Sequence, residues 1–163
     1  MQPDPDLQLR VAIKALRDVV MPSLDPENAL ANEQLQLTLA TLEMVRSRLP
    51  MVHEVARKEL ENAVDLARSV DPEETIAGMI ASAEELLGDS ASTTSAIDAS
   101  RISLLDEVSK SLNCVTDSER RMVLARSVIA ASKSQCDLAR GWSLPGGFER
   151  DPQEVPILEG FAN

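Results

Sequence analysis

His53 is the only histidine in the 163-residue chain, and that single count removes several chemistries. Di-iron carboxylate bundles use paired Glu-x-x-His motifs, and none is present. Zinc sites built on two histidines fail for the same reason, and Cys114 and Cys136 lack zinc-ligand spacing. A serine hydrolase could recruit His53, but there is no Gly-x-Ser-x-Gly and no strand pattern to present one. His53 therefore reads as a surface residue in the first turn of a helix. Glu54, Glu59, Glu61, Glu73, Glu74, Glu84 and Glu85 could pair for acid–base work or hold a divalent ion. Most of them fall on the polar faces of amphipathic helices, and no Asp-x-Asp-x-Asp-Gly loop accompanies them. No catalytic set, metal site or cofactor is expected.

Serines offer a second chemistry. They recur along two helical stretches near 97–112 and 117–140, among them Ser100, Ser103, Ser109, Ser127 and Ser132. A bundle interior lined in this way could hold a polar small molecule, although serines more often face water. Ser132 and Cys136, on the Met122–Ile129–Cys136 side, are the candidate ligand-lining residues.

The third feature is the placement of the large rings. Trp142, Phe148 and Phe161 are the only Phe, Trp or Tyr residues, and none precedes position 142. An aromatic side chain buries about 150–250 Å², so a tail carrying all three has reason to dock. Pro145, Pro152 and Pro156 hold that segment extended, and Ile157 and Leu158 add apolar weight. Trp142, Phe148, Ile157, Leu158 and Phe161 are the expected interaction residues, on the chain's own body, a second copy or a partner protein. Gly146-Gly147 reads as a turn rather than a phosphate cradle, since no P-loop lysine follows it.

The elements that must position these residues are helical. Leu9, Ala12, Ile13, Leu16, Val19 and Val20 form one stripe at helical spacing, closed by Pro22. Asp25-Pro26-Glu27 supplies a cap, a first-turn proline and an acid for a second helix through Leu49. Pro50 separates a third helix carrying Val52, Ala56, Leu60, Ala63, Ala67 and Val70. Asp71-Pro72-Glu73 starts a fourth that stops at Gly88. The residues after the two Asp-Pro-Glu triplets do not align in register, which argues against a repeat array. Beyond the flexible loop at 88–94, a fifth helix buries Ile97, Leu104, Leu105, Val108 and Leu112. A capping box at Thr116–Glu119 opens a sixth, whose apolar residues Met122, Ala125, Ile129 and Cys136 run to a stop at Arg140-Gly141. The expected fold is all-α: an antiparallel bundle of about six helices over 1–141, with an extended aromatic-bearing tail over 142–163.

Charge and composition bound the partners. A net charge of −11 repels phosphate backbones, and the aromatic-free body offers bases no stacking platform, so nucleic acid is excluded. No apolar run approaches the ~18 residues of a membrane helix, and the first residues lack the pattern of a secretory signal. A cytoplasmic location follows, with Cys114 and Cys136 as reduced thiols, ~30 Å apart if one helix carries residues 117–140. The segment Leu9-Arg10-Val11-Ala12-Ile13-Lys14-Ala15-Leu16, with its continuation through Asp25-Pro26-Glu27 to Leu35, resembles the opening of small bacterial helical proteins. Those proteins are encoded beside acyl-CoA dehydrogenases and aminoglycoside-phosphotransferase-like kinases. The resemblance covers the first quarter of the chain and implies a bacterial accessory protein; it brings no catalytic residues. The expected function is a non-enzymatic helical accessory or interaction protein that self-associates. The alternative is a small-molecule-binding or enzymatic bundle with its site between the fifth and sixth helices.

Overall fold

The structure, a computed structural model, describes residues 4–70, 76–147, 149–156 and 158. Among them there is no strand, and the fold is all-α. Five helices of twelve residues or more are uninterrupted, not six: α3 Ala29–Arg48, α4 Val52–Val70, α5 Ala77–Gly88, α6 Thr94–Cys114 and α7 Ser118–Ser143. The first expected helix is a composite of α1 Pro5–Ala15, a π turn Leu16–Val20, and α2 Met21–Ser23. Pro22 lacks an amide N–H and crowds the carbonyl four residues back. The wider π turn immediately before it accommodates the proline, and the helix ends one residue later, at Ser23, beside the expected stop.

Two caps lie away from their expected positions. Asp25 makes a local turn by accepting the Glu27 amide at 2.9 Å, and Asn28 caps α3 by accepting the Ala31 amide at 3.1 Å. Asp117, not Thr116, receives the Arg120 amide at the start of α7, at 2.6 Å; an ionised carboxylate outcompetes a neighbouring hydroxyl for that site. The loop before α6 is pinned from both sides. Ser92 donates to the Leu86 carbonyl at 2.6 Å, and Thr93 caps α6 through the Ala96 amide. The expected cap at Asp71-Pro72-Glu73 lies outside the described residues.

The chain divides into two compact units, Met1–Pro50 with Trp142–Pro152, and Met51–Gly141 with Gln153–Asn163. In the first, α1 and α3 form an antiparallel helical hairpin. Arg46 pairs with Asp6 at 2.7 Å, and Arg17 pairs with Glu43 further along. The core of this unit is small: Ile13, Leu35 and Leu39, flanked by Leu16, Met21, Leu24 and Leu42. On another face of α3, the Arg48 guanidinium lies 5.9 Å from the Trp142 ring centroid, and its Nε–H donates to the Trp142 carbonyl at 3.0 Å.

In the second unit, α4 packs chiefly on α6, and the two run in the same direction. His53 Nδ1 meets Thr94 Oγ1 at 3.1 Å near their starts, and Glu59 meets Arg101 two turns later. Helix α5 returns between them in sequence: Arg57 and Arg68 of α4 reach Leu87 and Glu84 in the reversed order of an antiparallel neighbour. Ala56, Ala63 and Ala67 on α4 and Ala83 on α5 are all buried, and such small side chains let helix axes approach closely. Around them close Leu60, Ile97, Leu104, Val108 and Leu124.

Helix α7 is rotated relative to expectation. Met122 and Ile129 are 58% and 71% exposed, and Ala125 and Cys136 also face solvent. The inward stripe is Leu124, Val128 and Leu138. Its polar member, Gln135, disguises it in the sequence.

Candidate functional site

Gly141 does not stop α7, which continues to Ser143. Its missing side chain serves a close approach instead. A Cβ there would lie 2.8 Å from the Pro156 carbonyl oxygen and 3.0 Å from Leu158 Cγ, both tighter than packing allows. The segment around Val155–Leu158 therefore crosses α7 as a strap, with Val155 and Leu158 buried. Beside that crossing lies a groove of about 400 Å³. Its apolar surface comes from Ala130 and Leu138 of α7 with Pro156 and Leu158 of the strap. Its polar lining is Lys58 of α4 with Lys133, Ser134 and Asp137 of α7.

The charges of the groove are unequally occupied. Lys58 pairs with Glu61 at 2.8 Å, a one-to-one contact that leaves ammonium donors over. Asp137 pairs with Arg140 at 3.9 Å. Lys133, exposed, has no hydrogen bond or ion pair among the described residues.

A second cavity, of about 230 Å³, opens between α4, α6 and α7 and includes Ser132 in its lining. Here a polar chain spans the helices. Gln135 donates to Glu59 at 2.9 Å, Asn62 to Gln135 at 3.3 Å, and Ser134 to Asn62 at 3.0 Å. Arg101 faces Glu59 at 3.5 Å and Asp98 at 3.7 Å. The buried Nε of Arg101 makes no hydrogen bond among the described residues; its pairing with Glu59 is Coulombic, beyond the length of a good N–H···O bond. These groups spend their polar capacity on one another, as a network that fixes how three helices meet. Ser132 is likewise engaged, donating to the Val128 carbonyl of its own helix at 2.7 Å. Cys136 is exposed and does not line this cavity, so the two candidate ligand-lining residues part company.

Of the expected interaction residues, Trp142 is half-buried under Arg48 and Leu158 is buried at the strap. Phe148, Ile157 and Phe161 lie outside the described residues. Among the described residues no three His, Cys, Asp or Glu side chains gather as a metal site would require. No helix among them is long and apolar enough to cross a membrane. A third cavity, lined by Arg10, Lys14, Arg17, Asp18, Glu43 and Arg46, belongs to the helical hairpin, where Lys14–Asp18 and Arg17–Glu43 pair across its charges.

Sequence reasoning missed Lys58, Lys133 and the strap contact at Gly141. One signal was present: a glycine inside a stretch whose helical pattern continues past it marks close approach as readily as termination. Set against protein-family models, curated proteins and solved structures, the chain matches none of them.

Proposed function

We propose that this chain works by binding rather than by catalysis, as a cytoplasmic, self-associating accessory protein whose α3 pairs with α3 of a second copy. The observation that carries this reading is that α3 is apolar on two faces. Leu35, Leu39 and Leu42 face α1. On the other side, Leu30, Gln34, Leu37, Thr41, Met44 and Arg48 follow the alternating spacing of four and three that defines a coiled-coil seam. Leu30 is 68% exposed and Leu37 is 49% exposed. The first five seam positions carry no charge, in a protein of net charge −11. Thr41 donates its hydroxyl to the Leu37 carbonyl, so its hydrogen-bonding demand is met within the helix.

A helix apolar on two sides is stable when both sides are covered. A seam whose first five positions carry no charge can pair with its own copy, which suits the two-fold pairing by which most homo-oligomers form. Gln34 and Thr41, polar at alternate seam positions, would set register and partner number at some cost in strength. The resemblance of residues 9–35 to small bacterial helical proteins bears on the accessory role alone.

Light scattering coupled to size-exclusion chromatography tests it. The intact protein is expected to elute as a dimer. Leu30→Glu combined with Leu37→Glu should yield a helical monomer, because neither side chain belongs to the hairpin core. A monomeric intact protein at high micromolar concentration, or a double variant that remains dimeric, would remove this reading.

A further inference from the structure

We propose that the groove beside the strap is a binding site for an aliphatic monocarboxylate. Its carboxylate would sit between Lys58 and Lys133, and its chain would lie along Leu138, Leu158, Pro156 and Ala130. The inference is independent of self-association, which uses the other compact unit.

Three observations converge on this chemistry. The groove's volume, about 400 Å³, falls within the range of small-molecule pockets, which begins near ~300 Å³. Its lining is of two kinds: the aliphatic side chains of Leu138 and Leu158, and two lysines, Lys58 and Lys133. Its charge runs against that of the whole molecule. Lys58, Lys133 and Arg140 against Glu61 and Asp137 leave one net positive charge at the groove and its rim, in a chain of net −11.

Size and sign together select the ligand. An apolar chain answers the leucines, and a single negative charge answers the surplus. Asp137, held by Arg140 at 3.9 Å, would repel a second negative charge and so disfavours dicarboxylates and phosphate esters. The lining also lacks an arginine fork, the group best shaped for phosphate. Lys133 has no partner among the described residues to give up, and Lys58 can keep Glu61 while donating again. The strap sets the groove's width. Only a glycine at position 141 lets the Pro156 carbonyl and Leu158 come down onto α7, where they form one wall.

Isothermal titration calorimetry on the full chain, with hexanoate, octanoate and decanoate as probes, tests the site. One carboxylate is expected per chain, tightening by about two- to fourfold for each added methylene until the groove is filled. Lys58→Gln and Lys133→Gln should each weaken octanoate by about tenfold, the worth of one charge-assisted hydrogen bond. Both lysines sit at the surface, so the variants should keep the circular dichroism of the parent. Octylamine, with the same chain and the opposite charge, should not bind. The proposal is overturned if octanoate gives no saturable heat at millimolar concentration, if octylamine binds as well, or if the paired lysine variant binds octanoate unchanged. A stoichiometry that follows the oligomer instead of the chain would also overturn it.

Discussion

The two compact units use similar helical material to opposite ends. Among the described residues, twelve buried side chains around α4, α5, α6 and α7 form one continuous core, whereas the α1–α3 hairpin gathers three. In the larger unit each helix has one apolar stripe facing the shared core, although Ile102, Met122, Val123 and Ile129 remain exposed outside it. In the hairpin, Leu7, Val11, Val19, Leu30 and Leu37 remain exposed. Two helices can cover one face of each other but not two, so Leu30 and Leu37 of α3 stay open among the described residues, while Arg48 at the end of the same seam is covered by Trp142. A core that closes on itself supports a unit alone; a core left open makes the unit's stability depend on what it binds.

The most damaging way to break that contrast is at Leu60, which is fully buried between α4 and its neighbours. Leu60→Ala should cost about 3–5 kcal/mol, since the close-packed surroundings cannot collapse into the space left behind. Leu39→Ala in the hairpin should fall near the lower end, about 2 kcal/mol, because a three-residue core relaxes more readily. Urea unfolding followed by circular dichroism gives both values. The hairpin variant should also show a concentration-dependent midpoint if its unit is completed by a second copy. Equal costs in the two units, with no dependence on concentration, would erase the distinction.

A smaller effect is expected where the strap meets α7. Gly141→Ala places a methyl 2.8 Å from a backbone oxygen, and backbone cannot rotate out of the way as a flexible side chain would. On propensity alone the substitution would favour the helix by up to ~1 kcal/mol. Here the clash should win, with a net loss of about 1–2 kcal/mol through displacement of Pro156 and Leu158. Hydrogen exchange should show lost protection around residues 155–158 while α4 and α6 keep theirs. If Gly141→Ala raises the melting temperature, the glycine is only a weak helix position and the strap is not pressed against it.

How legible all this was in the sequence depends on how many partners each helix has. Helix α6 meets the core along one stripe, so Ile97, Leu104 and Val108 could be read from spacing alone. Helix α7 carries two competing stripes. Met122–Ile129–Cys136 is the more apolar by eye, and it faces solvent. Leu124–Val128–Leu138 faces inward although Gln135 interrupts it, because Glu59 and Asn62 wait there with matching hydrogen bonds. That tertiary partnership lies 73 to 76 positions away in the chain, where no local pattern can register it. The groove was hidden for the same reason: Lys58 and Lys133 meet only through packing of α4 and α7. The π turn at Leu16–Val20 was hidden differently: Pro22 marks the end of the helix, at Ser23, but not the widened turn that precedes it.

The least effect is expected at the charged surface of the larger unit, and that expectation sharpens the claim that its core does the stabilising. Lys110 on α6 sits 2.8 Å from Asp106 and 3.1 Å from Glu107, on the exposed surface. The hydrogen bond to Asp106, then that to Glu107 and the two carboxylate charges, hold its pKa above the ordinary lysine value. A raised pKa in the folded state means that the protonated form is favoured by folding. The contribution is therefore fully present below the ordinary lysine pKa of about 10.4 and is lost as pH climbs through the raised value. Lys110→Gln should shift the melting temperature within experimental error or barely beyond it at neutral pH, because exposed pairs are screened by water and salt. Whatever difference exists should stay level from pH 7 to 9, shrink in strongly alkaline buffer, and vanish at high salt. A difference that grows with pH, or that survives high salt, would mean that Lys110 contributes through packing of its aliphatic stem, and the surface of this unit would then share in work assigned here to the core.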